Sequence, residues 1–189
     1  MAFGILIVIL VIILLVIIGF VAYFISVYNG LIKLSNNIKK SWANINVLLK
    51  QRSSELPKLI NSVKGYMKHE KKTLEALTRA RTAFLNAKTM SQKAAADSII
   101  SGALKTIFAV AENYPNLKAN ENFIQLQNRI SGIENELADR REFYNDSVNN
   151  YNIRIQSFPD MIVARMLNYA EKEMFKVSEA DKKDVEVKF

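Results

Sequence analysis

The run FGILIVILVIILLVIIGFVAYFISV, residues 3–27, contains no charged side chain. As a helix rising about 1.5 Å per residue it would reach about 37 Å, more than the roughly 30 Å of a bilayer's hydrocarbon core. It therefore predicts a transmembrane helix that spans with some tilt. A buried helix of a soluble protein seldom goes this long without a polar face. A cleaved signal peptide is not expected either, because Met1-Ala2 brings no side-chain cation and VAYFIS offers no small-x-small cleavage site. The reading is an uncleaved signal anchor over residues 1–29, with Tyr23, Phe24 and Tyr28 placed for the headgroup boundary.

The stretch FISVYNGLIKLSNNIKKSW, residues 24–42, brings the first cations. Lys33, Lys39, Lys40, Lys50 and Arg52 all precede the first acidic residue, Glu55. The positive-inside bias then predicts a single-pass protein of the cell membrane, with the N-terminus outside and the C-terminal body in the cytoplasm. The chain holds 26 Lys and Arg against 18 Asp and Glu, a formal net charge of +8, and five of the cations lie in this cluster, so residues 53–189 are close to neutral. Two readings of the cluster stay open: a topogenic signal alone, or attraction to anionic membrane lipid at about 1 kcal/mol per residue. Nucleic-acid binding is not expected, since no basic stripe with base-stacking aromatics occurs. With no cysteine, the chain has neither a disulfide framework nor a thiolate metal site.

The rest of the chain has no Gly-, Ser- or Pro-rich linker and reads as one helical domain, 30–176. From Leu59 to Leu85, apolar or small residues recur at three- and four-residue spacings. Pro57 within SSELPKL predicts a kink near Ser53 to Glu55, because proline lacks the amide hydrogen and crowds the carbonyl four residues back. A second helix is expected from a Ser91 N-cap through Ala96, Ile100, Ala103, Ile107 and Val110 to the turn at Asn113-Tyr114-Pro115. A third follows a near-heptad seam, Leu126, Ile130, Ile133, Leu137, Tyr144, Val148, Tyr151, Ile155 and Phe158, and Pro159 closes it. Residues 160–170 read as a short helix, and KDVEVKF as part of an extended tail, 177–189. The fold class is all-α: one N-terminal transmembrane helix, then an elongated antiparallel helical bundle.

Three strings, SVKGYMKHEKKTLEALTRAR (62–81), AENYPNLKANENFIQLQNRI (111–130) and RREFYNDSVNNYNIRIQSFP (140–159), resemble the LemA family of membrane proteins. The likeness runs from YNGLIKL to the final VKF. It implies a single transmembrane helix followed by a helical-bundle domain, and one branch of the family is associated with forming the magnetosome membrane. It implies no catalytic residues and no cofactor.

The residues themselves point the same way. His69 stands alone in HEKKT without the second histidine of a zinc-protease motif, and there is no P-loop or nucleophile-elbow glycine pattern. Glu134 and Glu136 are two apart and cannot share a helix face, while Glu136 and Arg140 form an i,i+4 surface pair. No enzyme, catalytic residue, metal or cofactor is expected. In NYPNLKANENF, Pro115 ends one helix and Asn120 caps the next, with Leu117 and Phe123 packing the corner. Alternatively, Asn113, Tyr114, Pro115, Lys118 and Asn120 present a loop to a partner. Trp42 reads as core or membrane-proximal packing. Some of Asn145, Asn149, Asn150 and Asn152 are expected to supply interhelix hydrogen bonds, and Tyr144 and Tyr151 to be packed with bonded hydroxyls. Gly19, Ala22, Ser26 and Gly30 form a small-residue stripe of the kind that lets transmembrane helices approach closely. The leading function is a homo-oligomeric scaffold acting on membrane lipid; the alternative is an adaptor or sensor that binds another membrane protein or a small ligand.

Overall fold

The structure, a computed structural model, describes residues 2–67 and 70–175. His69 and the expected tail, 177–189, lie outside the described residues. Among the described residues every element is a helix: α1 (Ala2–Lys64), α2 (Lys71–Asn86), α3 (Met90–Ala111), α4 (Pro115–Lys118), α5 (Glu121–Gln156) and α6 (Asp160–Met166). The fold is all-α, a long apolar N-terminal helix followed by a helical bundle. Two compact units divide the chain, and α1 and α5 each contribute residues to both.

The first unit comprises the described residues of Met1–Ser41 and Tyr144–Met174. The side chains from Phe3 to Val21 are exposed, and burial begins at Val27, Leu31 and Ile38 of α1. Tyr144, Val148, Tyr151 and Ile155 of α5 and Val163 and Ala164 of α6 complete the buried apolar set. α6 ends in a left-handed turn at Asn168 (φ 57°), where the Tyr169 amide donates to the Ala164 carbonyl at 2.9 Å and that of Asn168 to Arg165 at 3.1 Å. Asparagine tolerates that backbone region better than most residues, and the two bonds satisfy carbonyls the helix end leaves open. The chain then runs back along α5. Tyr144 and Tyr151 donate their hydroxyls to the carbonyls of Glu173 (3.1 Å) and Ala170 (3.0 Å), and Asn152 both donates to Lys172 O and accepts from Lys172 N at 2.9 Å. The Asn152 side chain thus holds a non-helical backbone segment and not a neighbouring helix: its amide matches a peptide's donor and acceptor at once.

The second unit comprises the described residues of Trp42–Phe143 and Phe175–Phe189. On α1, Ile45, Leu49, Ser53, Leu56, Leu59 and Val63 are buried at three- and four-residue steps, the stripe a packed helix needs. Leu77, Ala80 and Phe84 of α2 and Ile100, Leu104, Ile107 and Ala111 of α3 supply facing stripes, with α2 and α3 forming a helical hairpin. The core face of α3 therefore runs through Leu104 and Ala111, while Ala103 and Val110 are only half-buried. Phe175 is buried, its ring 6.3 Å from that of Trp42 and 5.2 Å beneath the Arg141 guanidinium, which places Trp42 in a packing role.

Two local expectations, at Ser91 and at Phe158, are corrected, and the helix is unbroken at Pro57. α1 continues through Pro57 and ends at Lys64; the Tyr66 and Met67 amides both turn back to the Val63 carbonyl, at 3.0 and 2.9 Å, after Gly65, whose backbone entropy disfavours helix. The N-cap of α3 is Thr89 instead of Ser91, because Gln92 three residues on closes a reciprocal capping box with it. Phe158 leaves the seam and is 79% exposed, since α5 has already ended at Gln156. The Phe158-Pro159 peptide is cis. Asn120 does cap α5, accepting from the Phe123 amide at 3.1 Å, with Leu117 and Phe123 buried beside it.

Candidate functional site

The heptad positions of α1 explain its most unusual buried residue. Leu31, Ile38, Ile45, Arg52 and Leu59 are seven apart and all lie on the packed side of the helix, so the Arg52 side chain must enter the core with its charge. It is 1% exposed, and its Nη1 lies 2.8 Å from Asp97 Oδ1 and 2.7 Å from Glu134 Oε2. Its Nη2 donates to Ser101 Oγ at 2.8 Å, and that hydroxyl donates onward to Glu134 Oε1 at 3.3 Å. Arg141 closes the group by pairing with Asp97 and lying 3.9 Å from Glu134. Two guanidiniums and two carboxylates balance. Burial pushes the Asp97 carboxyl above the ordinary aspartate range, against the pull of Arg52 and Arg141.

Beside this group opens a recess of about 210 Å³, lined by Arg52, Ser101, Glu134 and the apolar side chains of Leu104, Phe108 and Ile130. It is large enough for a few water molecules or one small organic group. A separate buried carboxylate, Glu55, pairs with Lys58 and Arg129, each at 3.1 Å. The expected surface pair Glu136–Arg140 is present at 3.4 Å. Among the described residues, no three His, Cys, Asp or Glu side chains are placed to hold a metal ion.

The sequence-derived candidates fall in different surroundings. Lys33, Lys39, Lys40 and Lys50 are exposed, whereas Arg52, grouped with them by charge, is withdrawn into the core and is not available to a lipid surface. In the corner between α3 and α5, Asn113 and Pro115 are exposed, Tyr114 is half-buried, and Lys118 is paired with Glu112. Asn120, besides capping α5, donates to the Tyr66 hydroxyl at 3.4 Å. In the anchor, Gly19, Ala22 and Ser26 are exposed, and nothing lies within 4 Å of a Cβ added at Gly19. Gly30 differs. A Cβ there would clash with the Arg154 guanidinium, so a side chain of the same chain already lies against Gly30.

The first unit thus holds an unforeseen polar joint. The Tyr23 hydroxyl donates to Asp160 Oδ1 at 2.6 Å, while Arg154 Nε donates to Asp160 Oδ2 at 2.8 Å. The Tyr23 hydroxyl and, less strongly, the Arg154 charge hold the Asp160 carboxyl below the usual aspartate range. The sequence signal for it is faint: an acidic residue directly after a proline, opposite a tyrosine that apolar patterning assigns to the membrane boundary.

The N-terminal part of α1 is long and apolar enough to cross a membrane, and none of its most apolar stretch is buried; α3 passes the same length and composition test but is a core helix. A family model for the LemA family matches residues 41–189, which starts just beyond the apolar run. Protein LemA of Metamycoplasma hominis is 31% identical over 171 residues, covering 87% of this chain and 76% of its own length. Magnetosome proteins MamQ 1 and MamQ 2 of Paramagnetospirillum magneticum are each 30% identical over 80 residues, or 42% of this chain and 29% of theirs. The match over most of the chain, together with the all-helical bundle behind an apolar helix, shows that this chain belongs to the LemA family.

Proposed function

We propose that this protein is a non-enzymatic, single-pass membrane scaffold, anchored through residues 1–29 and associating laterally with its own copies to organise the bilayer. The observation that carries the reading is the bare apolar surface of α1: the side chains from Phe3 to Val21 are exposed. Burying a large aliphatic side chain stabilises by about 1.5–3 kcal/mol, so a run of this length gains tens of kcal/mol on entering lipid. The exposed Lys33, Lys39 and Lys40 just behind it support a cytoplasmic bundle and contact with anionic headgroups. Self-association is supported by the exposed small residues Gly19, Ala22 and Ser26, which present a flat strip to a neighbouring helix.

The absence of native cysteine makes the test clean. Single cysteines replacing Ala22 or Ser26 in the full chain, oxidised in membranes, should crosslink into dimers well above those replacing Val21 or Ile25. Equal or absent crosslinking at all four positions would overturn association through the small-residue strip. The recess beside Arg52 favours a second reading, an adaptor or sensor that takes a small ligand. Saturable binding that Ser101→Trp abolishes in a folded protein would select it.

A further inference from the structure

Ile162 and Met166, one turn apart on α6, are 52% and 67% exposed, while Val163 and Ala164 are buried on its other side, and Phe158, in the turn before α6, is 79% exposed. Ile162 and Met166 make an apolar stripe on α6 that the core does not use, with the exposed Phe158 side chain before it. Arg165 is exposed next to Met166. The joint described above sets the depth of this stripe, because Asp160, the first residue of α6, accepts from Tyr23, and Arg154, which holds Asp160, lies against Gly30. Counted from Phe3, about 20 helical residues cross a hydrocarbon core of roughly 30 Å, which puts the boundary at about Ala22 to Tyr23.

From this juxtaposition we propose that α6 and the turn before it form a second, in-plane membrane contact, in which Phe158, Ile162 and Met166 enter the headgroup–acyl boundary and Arg165 meets lipid phosphate. The inference rests on the anchor crossing the bilayer, and extends it. An apolar stripe beside a cation is the pattern of helices that lie in a membrane interface. The one acidic side chain at the joint, Asp160, is already engaged by Arg154 and Tyr23, which lessens its repulsion of anionic lipid. Lipid is favoured over a second copy as the occupant because the stripe is continuous in depth with the lipid-facing part of α1. Held at two points, the first unit would be fixed in tilt and rotation against the membrane surface.

Spin labels on single cysteines test this in the full chain, embedded in nanodiscs of phosphatidylcholine and phosphatidylglycerol. The variants are Phe158→Cys, Ile162→Cys and Met166→Cys, with Val11→Cys in the anchor and Lys71→Cys on the exposed face of α2 as references. The expected result is an oxygen-to-nickel-chelate accessibility ratio several-fold above that at position 71 and below that at position 11. A ratio equal to that at position 71 with position 11 deep would overturn the contact while leaving the anchor intact. Low accessibility to both reagents would overturn it in favour of protein cover by a second copy. An aqueous signal at position 11 would overturn the anchor itself, and the proposal with it.

Discussion

Arg81 of α2 donates its Nε hydrogen to the backbone carbonyl of Ser53 in α1 at 3.2 Å. That carbonyl would ordinarily accept from the amide of residue 57, which is proline and has none. A side chain from the neighbouring helix thus replaces the missing bond, and α1 is unbroken at Pro57. Arg81→Met should destabilise the second unit by about 1–2 kcal/mol, the usual cost of stranding a carbonyl that had a charged donor. In a Pro57→Ala background the restored amide bonds to Ser53 itself, so the same substitution should cost roughly 1 kcal/mol less. A double-mutant cycle in urea, read by circular dichroism, checks this. Strict additivity would show that Arg81 acts elsewhere.

Removing one partner of the Arg52 group should be costly. Asp97→Ala leaves Arg52, 1% exposed, with only the half-buried Glu134 as a charge partner. A loss of about 3 kcal/mol or more is expected in thermal unfolding, because an uncompensated charge stays in the core. The joint change Arg52→Met with Asp97→Leu should cost much less than Asp97→Ala, since the desolvation of both charges is removed together. Equal losses would contradict the pairing.

Gly30 should behave unlike an ordinary helix glycine. Replacing glycine by alanine inside a helix generally stabilises by about 0.5–1 kcal/mol. At Gly30 the added methyl would meet the Arg154 guanidinium at 2.3–2.6 Å and push it from Asp160, so the gain should vanish or reverse. In an Arg154→Ala background, Gly30→Ala should recover the stabilisation. Melting temperatures of the four proteins decide the matter.

Acid should loosen the same joint. The Asp160 carboxyl is held below its ordinary value in the folded protein, so the unfolded chain takes up the proton first as pH falls. Its contribution is full above the unfolded value of about 3.9 and is lost as pH drops through the lower folded value. The difference in melting temperature between wild type and Asp160→Asn should therefore be constant from about pH 7 to pH 5 and shrink below about pH 4. A difference that does not narrow would contradict the bonded carboxylate.

The parts of this fold that were legible in the sequence are those governed by one strong local pattern. An uncharged run of this length admits few readings, and the seam through Tyr144, Val148 and Tyr151 places both rings in the core with bonded hydroxyls. The misreadings arise where a distant side chain alters a local rule. Arg52 looks like the last cation of a surface cluster until its heptad register is counted, and its partners Asp97 and Glu134 are far along the chain. The donor to the Ser53 carbonyl, Arg81, lies 28 residues on and is invisible to a local window. Gly30 fits a small-residue stripe by spacing, but Arg154 fills the space it leaves. Phe158 falls in step with the seam only if α5 is carried past Gln156, where it ends.

The central claim, lateral self-association on a membrane anchor, is tested most directly by the mass of the full-length protein extracted in mild detergent, measured by light scattering with the detergent subtracted and imaged in parallel by electron microscopy. Uniform particles containing several copies of the 21.5 kDa chain are expected. A stable particle holding one 21.5 kDa chain would contradict the account.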